Sequence, residues 1–203
     1  MSRYELSYFD FVGSRGEECR MALALTGVDF DDVRFARETW VGLKAGTPFG
    51  SVPVLKQEGK PALAQSNAIL TYLGLAHGLL PADTWEAARH IAILEACEEV
   101  RTAVAPSGKI SDPAEKQAAR EALAAGFLQT WGANMEKQIS GPFVGGSAIS
   151  VADVKIFQIA ETFVKGVYDH IPSTVFQAFP KLMGVHQAVL SHPRIAAWRA
   201  KFL

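Results

Sequence analysis

Every run of alternating apolar and polar residues in this chain lies ahead of Gly78, and beyond Leu79 the apolar residues recur only at helical spacing. A chain that changes period once in this way is expected to fold as a mixed α and β unit followed by an all-helical one, since each pattern must bury its own kind of face. From Arg3 to Phe9 the alternation puts Tyr4, Leu6 and Tyr8 on one face of a strand and Glu5, Ser7 and Phe9 on the other. Gly13, Ser14 and Gly16 make a turn, and Glu17 and Glu18 open a helix whose apolar residues Cys19, Ala22, Leu23 and Leu25 run up to Gly27. A second alternating run, Val28 to Phe35, follows, and the order strand, helix, strand predicts a parallel pair. Val52 to Gln57 and Lys60 to Gln65 flank Glu58-Gly59, which reads as a hairpin with a two-residue turn and, because of Pro61, an edge strand. Ser66 occupies the expected N-cap of a helix carrying Ile69, Leu70 and Leu73 to Gly78.

The second part begins at Asp83, whose spacing to Glu86 predicts a capping box for a long helix through Ile91, Leu94 and Val100. Asp112-Pro113 starts another, with a stripe of Leu123, Phe127, Trp131 and Met135. Ser150 and Asp153 form a second box, and the helix from Val151 to Val164 is apolar on nearly every side, as the buried centre of a bundle would be. Two short helices complete the chain. The expected organisation is a domain of residues 1–79, a linker of 80–85 and a helical domain of 86–203.

Charge and cysteine content narrow the function. A net charge of -1 provides no field for non-specific nucleic-acid binding. Two cysteines, Cys19 and Cys97, are too few for a disulfide framework and suit a reducing, cytoplasmic setting. The acid-bearing start leads straight into a strand pattern rather than a signal core. The stretch from Pro61 to Ala82 lacks charged residues, but its polar, Pro and Gly positions make it a strand, a helix and a linker rather than a membrane span. The histidines show no metal-ligand spacing, so no metal is expected, and neither a Walker loop nor a GxSxG elbow occurs. Glu95, Glu98 and Glu99 read as a solvated helix face.

Three features point to one sheet edge: Tyr8 at the end of the first strand, Ser51-Val52-Pro53 at the start of another, and Gln65-Ser66-Asn67 at a helix N-terminus. Together they offer a phenol, an extended backbone and an anion-binding helix end. The segments YELSYF, PFGSVPVL and QSNAIL, in that order, with FVGGSAISVADV in the helical part, resemble the cytosolic glutathione transferases, nearest the sigma and pi classes. The resemblance spans essentially the whole chain. It implies a thioredoxin-like domain of β-α-β-β-β-α order with an irregular segment, followed by an all-α bundle.

The resemblance further makes Tyr8 the catalytic tyrosine that donates a hydrogen bond to the glutathione sulfur, with Arg15 adding positive potential. Trp40 and Lys44 match the positions that hold the glycyl carboxylate. Ser51, Val52 and a cis Pro53 present backbone to the cysteinyl part, and Gln65 and Ser66 bind the γ-glutamyl end. Phe11, Val12, Gly13 and Val104 are expected around the second substrate, a small electrophile. Glutathione is a co-substrate, and no tightly bound cofactor is implied. The implied assembly is a homodimer with Phe49 reaching into the partner's helical domain. At the position where some classes lend an acid across that dimer, Ile91 stands here, with Glu95 one turn later.

Tyr4 shares the face of Tyr8 but lies two residues deeper, and Cys19, inside a helix, reads as a small core residue. The leading expectation is an enzyme conjugating glutathione to electrophiles, with isomerase or peroxidase activity as variants. A non-catalytic glutathione-transferase-like binding or scaffold protein is the alternative. A thiol-disulfide oxidoreductase is disfavoured, because no C-x-x-C occurs.

Overall fold

A computed structural model describes residues 4–202. In chain order the elements are β1 (Tyr4–Phe9), α1 (Ser14–Thr26), β2 (Phe30–Phe35), a short α2 (Trp40–Leu43) between two 3-10 turns, β3 (Val54–Gln57), β4 (Leu63–Ala64), α3 (Ser66–His77), α4 (Thr84–Val104), α5 (Pro113–Ala125), α6 (Phe127–Gln138), α7 (Val151–Val164), α8 (Pro180–Ser191) and α9 (Pro193–Arg199). They form two compact units. One runs to Ala82 and includes the tail from Ser191, and the other is Asp83–Leu190.

The first unit is built on a sheet of order β2-β1-β3-β4, with β1 parallel to β2 and antiparallel to β3. The alternation in β1 is realised: Tyr4, Leu6 and Tyr8 are buried and the residues between them are half-buried. The strands are shorter than their apolar runs. Val28 donates its N–H to the Thr26 hydroxyl at 3.0 Å rather than to the ladder, so β2 starts at Phe30. Pro53 and Pro61 have no N–H to donate, and β3 and β4 begin beyond them. The hairpin closes with Lys60 N–H on Gln57 O at 3.1 Å, and Gly59 sits at φ 74° where other residues would be strained.

Helix α9 packs on α1 within this unit. The Trp198 indole donates to Glu17 Oε1 at 2.8 Å, and the Arg194 guanidinium bonds the Leu25 carbonyl. The last helix thus groups with the first unit, whereas the periodic pattern assigns it to a helical domain of residues 86–203.

In the second unit, Asp83 caps α4 by accepting from the N–H groups of Trp85 and Glu86, and Asp112 caps α5 through Glu115. The Ser150–Asp153 capping box is present, and Asp153 also accepts the Val144 N–H at 2.7 Å. Burial is the largest influence on this carboxyl and outweighs those hydrogen bonds, pushing its pKa up to about 6. Helix α7 is buried nearly all round, and Lys155, fully enclosed on it, reaches Glu98 at 2.5 Å. Glu98, which also pairs with Arg101, is therefore a counter-ion of a buried lysine and not merely part of a solvated face. The long helix expected from Asp112 breaks into α5 and α6 at Gly126, whose φ of -108° and ψ of -88° leave the helical region. Between α4 and α6 lies a cavity of about 460 Å³ lined by Ile93, Ala96, Phe127, Trp131, Asn134 and Met135 among others. No helix among the described residues is long and apolar enough to cross a membrane.

Candidate functional site

The strand register gathers three of the sequence-derived segments. Val54 is paired with Ser7 on one side and with Ala64 on the other. The residues one step on, Tyr8, Pro53 and Gln65, consequently share one edge of the sheet. The Val52–Pro53 peptide bond is cis, with Val52 and Ser51 half-buried and Pro53 buried.

Tyr8 is 5% exposed, with its ring against the start of α1. Phe9 and Phe11 lie beside it at 5.4 and 5.5 Å between centroids, and the Arg20 guanidinium is 5.6 Å from the ring centre. The Tyr8 hydroxyl has no hydrogen-bond partner among the described residues and is not one of the sealed, unpartnered buried atoms. Tyr4 differs sharply. Its hydroxyl bonds His77 Nε2 at 2.9 Å and Tyr72 at 3.3 Å, and burial pushes its pKa up to about 12. Two tyrosines on one strand face are thus separated by their partners: the Tyr4 hydroxyl is tied into a polar cluster, and that of Tyr8 has no hydrogen-bond partner among the described residues.

The first intrahelical bond of α1 runs from Glu17 N–H to Gly13 O, so the N–H groups of Ser14, Arg15 and Gly16 precede the ladder and face the turn after Tyr8. Arg15 is half-buried in this first turn. Helix α3 starts similarly, with Ile69 N–H on Gln65 O. Gln65 is its N-cap, at φ 72° and without a side-chain capping bond, and Ser66 is the first helical residue. This corrects the expectation that Ser66 caps the helix. The left-handed bend at Gln65 turns the chain one residue earlier, and Ser66, 4% exposed, adds its N–H to the helix end.

Trp40 stacks on Phe35 at 6.1 Å and meets Phe9 edge-on at 5.8 Å, so aromatic packing ties α2 to the ends of β1 and β2. Lys44 is exposed, and its stem lies over Gly50, where a β-carbon would stand 3.2 Å from Lys44 Cε. Phe11 and Val12 are 37% and 47% exposed, and Gly13 has a φ of 127°. Val104, at the end of α4 in the second unit, is 1% exposed and offers no open side-chain surface. Ile91 is half-buried and Glu95 exposed on that helix.

Arg20 is absent from the sequence-derived site, yet it organises the turn behind Tyr8. Fully buried, it donates to the carbonyls of Phe11 at 3.0 Å and Phe9 at 3.2 Å, and pairs with Asp32 at 2.8 Å and Glu17 at 3.5 Å. A charged residue inside the apolar stripe of α1 was its one available signal. Gly16, which Tyr8 packs on, carries in the sequence only the signature of a turn residue. Among the described residues no group of three His, Cys, Asp or Glu is placed to hold a metal ion.

The glutathione S-transferase N-terminal domain model matches residues 4–74, and the C-terminal domain model of the same family matches residues 98–202. The chain is 28% identical to a probable glutathione S-transferase 7 of Caenorhabditis elegans, over 98% of this chain and 96% of that protein. It superposes on a Nilaparvata lugens structure titled prostaglandin synthase D with a TM-score of 0.87 at 28% identity, covering 99% and 98% of the two chains. A glutathione S-transferase from Ascaris lumbricoides gives 0.86 at 28% identity, covering 98% and 97%. With a thioredoxin-like sheet and a helical bundle matched by the two domains of one family, the chain belongs to the cytosolic glutathione transferases and is a glutathione S-transferase enzyme.

Proposed function

We propose that this enzyme conjugates glutathione to small electrophiles in the cytoplasm, with Tyr8 holding the glutathione sulfur as a thiolate. The observation that carries this reading is the Tyr8 hydroxyl, unpartnered among the described residues, at the sheet edge shared with Pro53 and Gln65. An ordinary thiol has a pKa of about 8.5, so only a small fraction is thiolate at neutral pH. Lowering it by about two units takes roughly 2.7 kcal/mol of preferential stabilisation of the anion. One hydrogen bond to a charged group contributes about 1.5 to 3 kcal/mol, and a helix N-terminus about 0.3 to 1. Tyr8, the N–H groups opening α1 and the Arg15 charge are together sufficient.

In this reading the backbone of Val52 pairs with the cysteinyl part of the tripeptide, beside Ser51 and Pro53. Gln65, Ser66 and the α3 N-terminus take the γ-glutamyl carboxylate, while Trp40 and Lys44 take the glycyl one. No cofactor beyond this co-substrate enters. The electrophile meets Phe11, Val12 and Gly13, whose apolar surface is open.

The working unit is a two-fold dimer in which Phe49, 69% exposed, enters the cavity between α4 and α6 of a second copy. A second reading, a glutathione-dependent isomerase using the same thiolate, is favoured by the likeness to a protein titled prostaglandin synthase D. Replacing Tyr8 by Phe tests the shared step. Glutathione binding persists and turnover of a generic aromatic electrophile falls by at least tenfold, the factor for about 1.4 kcal/mol. Unchanged turnover at saturating glutathione removes Tyr8 from the mechanism, and absence of turnover in the wild type leaves a binding or scaffold protein.

A further inference from the structure

The opposite end of β1 from Tyr8 carries a polar cluster that glutathione chemistry does not use. Four elements converge there: the start of β1 with Tyr4, the end of β3 with Gln57, the hairpin turn with Lys60, and the last turns of α3 with Tyr72 and His77. Tyr4 and Gln57 are direct neighbours in the sheet. The hub is the Tyr72 hydroxyl, which donates to Gln57 Oε1 at 2.5 Å, accepts from Lys60 Nζ at 3.3 Å and lies 3.3 Å from the Tyr4 hydroxyl. Tyr4 in turn bonds His77 Nε2 at 2.9 Å. The Lys60 ammonium is also 5.2 Å from the centre of the Tyr72 ring.

We propose that Tyr72 is a nucleophilic phenol and a site of covalent modification by hard electrophiles, acyl or sulfonyl groups, distinct from the thiol chemistry at Tyr8. When the Tyr72 proton leaves, each neighbour can turn a donor toward the oxygen. The Tyr4 hydroxyl rotates from His77, the Gln57 amide presents its NH₂, and Lys60 already points a positive charge at it. Hydrogen bonds that favour the charged form lower a pKa, and the Tyr72 phenol is lowered from its ordinary value, chiefly by the bond from Tyr4, with burial next and opposing it, and Lys60 and Gln57 adding to the lowering. Tyr4 moves the other way, because it is buried and shares its proton with a neighbour that ionises first.

The other two tyrosines have no such set. Tyr8 packs against Gly16 without a hydrogen-bond partner among the described residues, and the neighbours of the Tyr168 ring are Phe163, at 5.5 Å between centroids, and the Arg120 guanidinium, 5.6 Å from the ring centre. A phenolate oxygen is a hard nucleophile, so it selects acyl carbon and sulfonyl sulfur, whereas soft carbon electrophiles go to a thiolate. With a sulfonyl fluoride, the phenolate oxygen forms the new O–S bond, the S–F bond breaks, fluoride leaves with the bonding pair, and the phenolic proton passes to solvent.

The test uses the full chain and an arylsulfonyl fluoride near neutral pH, with the adduct located by peptide mass spectrometry. The expected result is a leading adduct on Tyr72, formed at the same rate with and without saturating glutathione. Its rate rises with pH through a midpoint below the value of about 10 for free tyrosine. Lys60→Met lowers that rate about two- to fivefold, the factor for an exposed ion interacting with the phenolate, and leaves conjugating turnover unchanged. A leading adduct on Tyr8, Tyr168 or Lys60, or a Tyr72 rate indifferent to Lys60→Met, overturns the proposal.

Discussion

Tyr8 lies so close to Gly16 that a β-carbon on the glycine would stand 2.0 Å from Tyr8 Cδ1. No real contact is that short, so the first turn of α1 and the ring of the proposed catalytic tyrosine occupy space that only glycine leaves open. Gly16→Ala gains up to about 1 kcal/mol of helix propensity but overpacks the ring, at a cost of about 1 to 3 kcal/mol. The expected outcome is a lower melting temperature together with a turnover loss larger than any loss of glutathione affinity, since a displacement of about 1 Å costs on the order of 100-fold in rate. Steady-state kinetics beside calorimetric titration checks it, and unaltered turnover contradicts it.

The Trp198–Glu17 hydrogen bond fastens the tail of the chain to the helix that carries Arg20. Glu17 is 1% exposed, and its other oxygen has no hydrogen bond, only the Arg20 charge at 3.5 Å. Trp198→Phe keeps most of the ring and strands the carboxylate, with an expected loss of about 1.5 to 3 kcal/mol in urea unfolding. A double-mutant cycle with Glu17→Gln should recover a coupling of at least about 0.5 kcal/mol, and strict additivity would show that the bond contributes nothing.

Asp153 gives the helical unit a signed pH dependence. Its pKa is raised on folding from 3.8 to about 6, so the folded state favours the protonated carboxyl. The stability it contributes is therefore complete below the unfolded value and is lost as pH rises through about 6. A shift of about two units corresponds to roughly 3 kcal/mol. Asp153→Asn cannot ionise, so the stability advantage of the wild type over the variant should shrink between acidic and neutral pH. Urea unfolding of both proteins at the two ends of that window measures it, and an advantage that grows with pH reverses the assignment.

Binding and stability should separate at the two ends of the proposed glutathione site. Lys44→Ala should weaken glutathione binding with little change in melting temperature, because the side chain is exposed. Ser66→Ala should weaken binding too, with a stability cost at the low end of the roughly 0.5 to 2 kcal/mol of a lost N-cap, since Gln65 holds that position. Native affinity in both variants by calorimetric titration would move the tripeptide elsewhere.

Phe49→Ser should dissociate the proposed dimer. Burying the ring in a second copy contributes about 1.5 to 3 kcal/mol, counted twice by symmetry. Analytical ultracentrifugation at submicromolar concentration should show the variant as monomer where the wild type is dimeric, and a variant equally dimeric leaves Phe49 without that role.

Local chemistry alone determined much of this protein. Alternation over six residues of β1 specified which face carries Tyr8, and the Ser150–Asp153 spacing specified a helix start, because both depend on neighbours a few positions away. The change of period near Leu79 likewise separated a sheet-bearing part from a helical one. Tertiary structure alone decided which of the two hydroxyls is engaged, since Tyr4 and Tyr8 share a face and only the arrival of Tyr72 and His77 occupies that of Tyr4. It also enlisted Arg20 and Trp198. The Trp198 partner, Glu17, is 181 positions away, and no periodicity encodes which helix a tail will meet. Such pairings are decided when buried polar groups must find one another as the core closes, because a carboxylate or guanidinium taken out of water without a partner costs several kcal/mol.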